Sequence, residues 1–426
     1  MNDTTQSLAS APTLGAFDRL LRERVLRQLR ALRAGTVTLR DAYGSETFGE
    51  PMPDTPTPVL HVDDLRFYRA LAQGGSVGAA EAYMDGLWRC DDLVGLVRLL
   101  VRNRDLLDGM ERGPARLAGV LLRGLHALRM NTRAGARRNI AAHYDLGNDF
   151  FRLFLSDDLM YSSALFERDD DTLDVASTRK LDMICRKLHL QPGDRVLEIG
   201  TGWGGFALHA AREYGCHVTT TTLSREQYDL ARTRIAEAGL EDRVDVLLRD
   251  FRDLDGVYDK LVSIEMVEAI GPENLTRYFA CLRDRLRPEG LALVQAITIE
   301  DHRYAQALRS VDFIKRHVFP GSFIPSIAAM MAAKTTASDL ALLHLEDMGL
   351  SYARTLEAWR ERFLAGLPQV RALGFDDRFM RMWTFYLAYC EGGFRERSIG
   401  VAQMLFARPG YRPSSSTHDR RVALEA

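Results

Sequence analysis

The chain has 426 residues, 46% of them hydrophobic and 27% charged, with a formal net charge of −2. That length and balance fit two or three packed domains and exclude both a disordered polyelectrolyte and a globally basic nucleic-acid binder. No stretch approaches the roughly 18 apolar residues that a spanning helix needs. The cysteines (Cys90, Cys185, Cys216, Cys281, Cys390) show neither disulfide nor metal spacing, so no metal site is expected.

Residues 1–12 read as a tail. From Phe17 to Leu32, Phe17, Leu20, Leu21, Val25, Leu29 and Leu32 recur at helical spacing, and Gly35 ends the pattern. Short strands at Thr36–Arg40 and Val59–Val62, with helices over Leu65–Ala72 and Val77–Met84, complete a small α+β unit closing near Asn103. The next stretch is basic. Between Val101 and Ile140, Arg102, Arg104, Arg112, Arg116, Arg123, Arg129, Arg133, Arg137 and Arg138 face only Asp105, Asp108 and Glu111. Within it, Pro114–Met130 reads as a helix with Leu117, Leu121, Leu125 and Leu128 near one face. Such a helix either packs on its own domain or lies on an anionic lipid surface. The polar, arginine-rich N-terminus has no secretory leader pattern. The expectation is a cytoplasmic protein, peripherally associated with the inner face of the cell membrane.

After Arg138 the pattern changes to alternating strands and helices. Arg195–Ile199, His217–Thr222, Val244–Leu248, Lys260–Ile264 and Ala292–Ile297 read as strands, with helices near 204–214, 225–238 and 272–286 between them. This alternation predicts an α/β fold, a mostly parallel sheet covered by helices on both faces. Ala341–Glu346 and Val401–Ala407 are late strand candidates. The reading therefore places a membrane-associating domain at 1–138 and a catalytic domain at 139–426.

The strongest local signal is the run from Val196 to Gly205, in which an apolar strand meets Gly200, Gly202 and Gly204 and passes directly into a helix. Glycines allow the sharp turn and the close approach of a ligand, and the helix N-terminus offers free amides. Glu198 stands just inside the loop, giving Glu-x-Gly-x-Gly-x-Gly, the spacing of class I methyltransferases, where a dinucleotide fingerprint would read G-x-G-x-x-G. The second strand ends in Thr219–Ser224 without the acidic residue that a dinucleotide site places there. Thr222 and Gln227 are instead candidates to bond a ribose, and Asp250 to receive an adenine amine.

Further motifs follow one another along the chain: His143-Tyr-Asp-Leu-Gly-Asn-Asp-Phe-Phe151, Tyr161-Ser-Ser-Ala164, Thr222-Leu-Ser-Arg-Glu-Gln227, Ile264-Glu-Met-Val-Glu-Ala-Ile-Gly271 and Phe319-Pro-Gly-Ser-Phe-Ile-Pro325. Together they resemble the cyclopropane-fatty-acyl-phospholipid synthases and the related mycolic acid cyclopropane synthases over nearly the whole chain. The resemblance implies a class I methyltransferase fold with a seven-stranded sheet, preceded by the smaller α+β unit. It implies S-adenosylmethionine as cofactor, bound by Tyr161, Ser162, Gly200, Gly202, Thr222, Leu223 and Gln227. It also implies a buried bicarbonate that takes up the proton as the ring closes. Of that anion's ligands, Glu268, Ile297 and Tyr352 match, whereas Ser163 stands at the usual cysteine and Gln295 at the usual histidine.

The implied function is transfer of a methyl(ene) group to the double bond of unsaturated acyl chains in membrane phospholipids, forming a cyclopropane. The two departures keep a methyl- or methylene-branched product open, and a small-molecule N-methyltransferase is a more distant alternative. An alkene is a weak nucleophile, so such an enzyme must supply positioning, a dry pocket and stabilisation of a developing cation. Glu268 and Tyr352 are the candidates for that stabilisation. The apolar residues Phe313, Ile314, Val318, Phe319, Phe323, Ile324 and Ile327 are candidates to line an acyl tunnel. The partners expected are an acyl chain and an anionic membrane surface, with no nucleic acid; a homodimer is left open.

Overall fold

The structure, a computed structural model, describes residues 15–104, 135 and 146–413. The expected domain boundary at 138, the helix Pro114–Met130 and the arginines from 112 to 138 lie outside the described residues. Contacts divide the chain into two units, one drawn from Met1–Leu121 with Asp376–Gly392, the other from Leu122–Phe375 with Gly393–Ala426.

The first unit holds a four-stranded sheet of order β2-β1-β3-β4, built from β1 (Gly35–Asp41), β2 (Gly44–Glu50), β3 (Val59–Val62) and β4 (Trp88–Cys90). The sequence reading found β1 and β3 and missed β2 and β4, which are polar or very short. The two expected helices are joined as Arg66–Met84, broken at Gly75, whose φ of 57° and ψ of −138° belong to a region that only glycine enters readily. The late helix Asp377–Arg395 also supplies this unit. Its Phe385 ring lies 5.5 Å from Tyr83, and its Arg378 donates to Asp85 at 2.8 Å. A single cut of the chain into two consecutive domains did not foresee that return.

The second unit is the α/β body. Its strands are β5 (Arg195–Ile199), β6 (His217–Thr222), β7 (Val244–Leu248), β8 (Tyr258–Ile264), β9 (Leu286–Ile299), β10 (Ala341–Asp347) and β11 (Ile399–Ala407), in the order β10-β11-β9-β8-β5-β6-β7. β7, β6, β5, β8 and β9 run parallel, while β11 is antiparallel to both β9 and β10. The expected seven-stranded, mostly parallel sheet is therefore present.

Alternate side chains of each buried strand feed opposite faces. Leu197, Ile199, Leu261, Val294 and Ala296 pack with Tyr278, Phe279 and Phe323 on one side. Val196, Val218, Val262, Leu291 and Leu293 pack with Leu181, Ile184 and Phe206 on the other. The strand order reverses at β5, with β6 and β8 leaving it on opposite sides. In an open α/β sheet, the crevice beyond the strand C-termini at that point is where ligands bind. The glycine loop, the end of β6, and the segments after β8 and β9 all meet there.

Candidate active site

The glycine loop takes the form its sequence requires. Gly200, Gly202 and Gly204 have φ of 106°, 52° and 85°, and the helix Gly205–Tyr214 starts directly behind them. Among the described residues, no atom lies within 4 Å of a Cβ placed on Gly202, so the loop faces open space among them at that point. Trp203, buried, donates from its indole to Asn148 at 2.6 Å and packs at a tilt, 4.8 Å between ring centroids, on Phe151, which anchors the loop on the Gly147–Phe151 motif. At the end of β6, Thr222 donates to the Gln227 side chain at 2.8 Å, and Ser224 caps the following helix by accepting from the Gln227 amide. Leu223 lies between them.

Glu198 and Asp250 are placed differently from a simple ligand-facing role. Glu198 is buried and accepts from Thr220 on β6 at 2.6 Å; burial pushes its carboxyl up to about 8, against the pull of Thr220 and Lys180. Asp250 stands beyond β7 and accepts from the Arg252 amide at 2.9 Å and from its guanidinium at 2.8 and 2.6 Å. Both expected residues are thus present at the strand ends, each with a protein partner.

Beyond β8 lie the residues that the resemblance implies share a bicarbonate, Glu268, Ser163, Gln295, Ile297 and Tyr352. Glu268 Oε1 does accept from the Ile297 amide, but the other three donors converge on Glu265, three residues earlier. Glu265 Oε1 accepts from the Ser163 amide at 2.9 Å and from Gln295 Nε2 at 2.7 Å; Glu265 Oε2 accepts from the Tyr352 hydroxyl at 2.8 Å. The Ser163 hydroxyl turns away and donates to the Ala164 carbonyl. Glu265 adopts φ 48°, an uncommon conformation for a residue with a side chain, and its amide bonds the Gln295 carbonyl at 2.7 Å.

The two carboxyls therefore have unequal environments. Burial is the largest influence on Glu265 and leaves its carboxyl above the usual carboxylate range, with the Ser163 amide, Gln295, Tyr352 and the Lys180 charge opposing it. Hydrogen bonds to a charged group are each worth about 1.5–3 kcal/mol, so three of them recover part of a desolvation cost of several kcal/mol. Glu268 has one backbone donor, and its Oε2 is buried without a partner among the described residues. Burial, then the neighbouring Glu265 charge, push it up to about 8. Two close carboxyls with divergent proton affinities are an anion and an acid. Of the two, Glu265 has the donors that favour an anion.

An aromatic wall faces this pair. Tyr352 lies 4.5 Å from Phe394 and 6.1 Å from Trp359, and Tyr161 lies 5.2 Å from Trp359 and 6.3 Å from Phe319. Such ring faces stabilise a nearby cation. Of the apolar run expected to line a tunnel, Phe319 reaches this wall, whereas Phe323 and Ile327 pack in the core against β8 and β9.

Two further residues escaped the sequence reading. Glu265 lies within the quoted motif, where only its second glutamate was assigned. Lys180 is fully buried on the helix Leu173–Lys187 and donates to Ser162 at 2.9 Å, beside Tyr161 and Ser163. Burial pulls its ammonium down to about 8, opposed by Asp158, Glu265 and Glu198. The available signal was a lysine spaced with Leu173, Ala176, Leu181 and Ile184 on that helix's apolar face.

The chain matches the mycolic acid cyclopropane synthetase family over residues 131–404. It is 36% identical over 432 residues to the tuberculostearic acid methyltransferase UfaA1 of Mycobacterium tuberculosis, covering 96% of each chain. It is 37% identical over 351 residues to the cyclopropane-fatty-acyl-phospholipid synthase of Escherichia coli, covering 82% of this chain and 87% of that one. Among solved structures, the mycolic acid cyclopropane synthase CmaA1 complexed with SAH and CTAB is similar at a TM-score of 0.60 and 32% identity, over 64% of this chain and 98% of that one.

The loop geometry predicts that Gly202→Ala folds, since a left-handed alanine costs only about 1–2 kcal/mol and touches none of the described residues, yet loses tenfold or more in affinity for S-adenosylmethionine. Calorimetry showing wild-type affinity would count against the loop as the cofactor site. The carboxyl pair predicts a pH effect on stability. Glu268 binds its proton more tightly folded than unfolded, so its contribution is complete below about 4.5 and is lost as pH rises toward about 8. The slope approaches about 1.4 kcal/mol per pH unit. Denaturant titrations of Glu268→Gln between those limits should show a shallower decline than the wild-type protein, and parallel curves would refute the assignment.

Proposed function

The chain belongs to the mycolic acid cyclopropane synthetase family and is an S-adenosylmethionine-dependent methyltransferase; from that premise we propose that it methylates the double bond of unsaturated lipid acyl chains with Glu265 as the base. The observation that carries this reading is the convergence of Ser163, Gln295 and Tyr352 on one side-chain carboxylate. These are three of the five groups that the resemblance assigns to bicarbonate. A further small anion does not fit there, because its donors are engaged by Glu265 and it would join that carboxylate in one dry pocket.

The cofactor supplies a methyl group on an electrophilic sulfonium. Tyr161, Ser162, Thr222 and Gln227 would hold that cofactor, and buried Trp359 and Tyr352, with partly buried Tyr161, exclude water. As the new carbon–carbon bond forms, positive charge develops on the other alkene carbon. The Glu265 carboxylate and the ring faces of Tyr352 and Trp359 stabilise it more than they stabilise the neutral alkene, which is what lowers the barrier. Glu265 Oε then takes one proton from the cationic chain, and the electron pair left behind forms the final bond. Atoms and charge balance: the chain gains CH2, and Glu265 becomes a carboxylic acid that returns its proton to solvent.

Loss of that proton from a carbon beside the cation leaves a branched chain that retains one double bond. This is the product favoured here, since a base fixed on the backbone replaces a mobile ion. Ring closure to a cyclopropane is the second reading, supported by the E. coli relative's activity. The acyl chains are assigned to membrane phospholipids. Among the described residues no helix is long and apolar enough to cross a membrane. The basic stretch between Val101 and Ile140 suits docking on an anionic leaflet, where each arginine contributes about 1 kcal/mol.

Glu265→Gln should lower turnover by about 10²-fold or more, the usual contribution of a general base, with cofactor affinity changed less than about twofold. Wild-type turnover in that variant would exclude Glu265 as the base. Mass spectrometry combined with ozonolysis of lipids from a host lacking its own synthase should find chains heavier by CH2 that carry a branch and still cleave at a double bond. Saturated ring products would move the assignment to the second reading.

A further inference from the structure

Polar side chains form a row across the sheet beneath the site. Glu346 on β10 lies opposite Gln403 on β11, and Gln403 lies opposite Gln295 on β9. Gln295 in turn pairs with Ile264, the residue before Glu265. Lys187, the last residue of the helix Leu173–Lys187, enters this row from one face. It donates to the Glu346 carboxylate and, at 2.8 Å, to Gln403 Oε1. Gln403 Nε2 donates to Gln295 Oε1 at 3.0 Å, and Gln295 Nε2 donates to Glu265 Oε1 at 2.7 Å. Lys187, Gln403 and Gln295 are each 2% exposed or less.

The row has a direction. A glutamine amide can present either its oxygen or its nitrogen, and rotating it exchanges donor for acceptor. An ammonium can only donate, so Gln403 must turn its oxygen to Lys187 and its nitrogen to Gln295. Gln295 must then accept on its oxygen and present N–H to Glu265. Burial pulls the Lys187 ammonium down, and Glu346 opposes that pull and favours the charged form. The other charged or titratable groups acting on Glu265 are Tyr352, Lys180 and Glu268. None of them bears on which way Gln295 is turned.

We propose that Lys187 and Gln403 are positioning residues that lock Gln295 as a donor and so keep Glu265 an anion able to take a proton. This rests on Glu265 being the base. A purely structural role for the row, as partners for a buried lysine, would affect stability without altering the proton affinity of Glu265.

The test reverses the polarity of the row. In Gln403→Glu, the new carboxylate accepts from Lys187 and can only accept from Gln295, which turns the Gln295 oxygen toward Glu265. Two acceptors then face each other unless Glu265 is protonated. Infrared difference spectra of the full chain across a pH titration report that carboxyl, its band identified by loss in Glu265→Gln. The midpoint should rise by about one pH unit or more in Gln403→Glu, and by less in Lys187→Met, which removes the obligate donor. Lys187→Arg, which still only donates, should keep the wild-type midpoint, and cofactor affinity should hold in all three. Unchanged midpoints in folded Gln403→Glu or Lys187→Met protein would overturn the proposal. Should Gln403→Glu fail to fold, Lys187→Met decides alone. The turnover of Glu265→Gln judges the base assignment separately, since the band reports protonation whether or not the variant is active.

Discussion

A carboxylate stays ionised away from water only where donors replace its hydration shell. Much of the second unit's architecture meets that condition at Glu265. The Ser163 amide comes from the loop before the helix Leu173–Lys187, Gln295 from β9, and Tyr352 from the helix Gly349–Ala365. Residues up to 102 positions away in sequence therefore have to be brought within hydrogen-bond distance of one side chain. The sheet order does this, because β9 lies beside β8 and the returning β11 holds β9 from the other side. The positive φ of Glu265 is the local cost of aiming the carboxylate at all three.

The charges around this anion form a consistent set. Glu268 stays neutral because its one donor cannot offset burial next to Glu265. Lys180 holds a buried positive charge within reach of Glu265 and Glu198, and its bond to Ser162 links that charge to the segment expected to hold the cofactor. Methyl transfer moves positive charge from the cofactor to the acyl chain without creating any. A fixed anion beside the receiving carbon, with polarisable rings around it, is what such a relocation requires. Preformed hydrogen bonds mean that little reorganisation accompanies the step.

Most of this fold was legible in the residues, and part of the site was. β-Branched and apolar runs set between helical stretches mark parallel strands, so β5, β6 and β7 were legible with their full limits. The glycine loop was equally plain, since its φ values leave few other residue choices. Polar strand β2 carried no such signal, and the return of Asp376–Gly392 to the first unit depends on tertiary packing that no local pattern encodes. Within the motif Ile264–Gly271 both glutamates were visible, but nothing in their spacing told which one the distant donors would meet. Lys180 and Lys187 were the readable clue that went unused. Seven residues apart, they fall on the same buried face of one helix, where a lysine persists only with partners.

On the mechanism proposed above, a side-chain carboxylate of this chain, and no captured ion, accepts the proton. The most direct test is turnover on unsaturated phospholipid vesicles in buffer stripped of carbon dioxide, compared with the same buffer after bicarbonate is added back. Equal rates are predicted, because Glu265 already holds the donors such an ion would need. A rate that collapses on depletion and returns on addition would contradict the account.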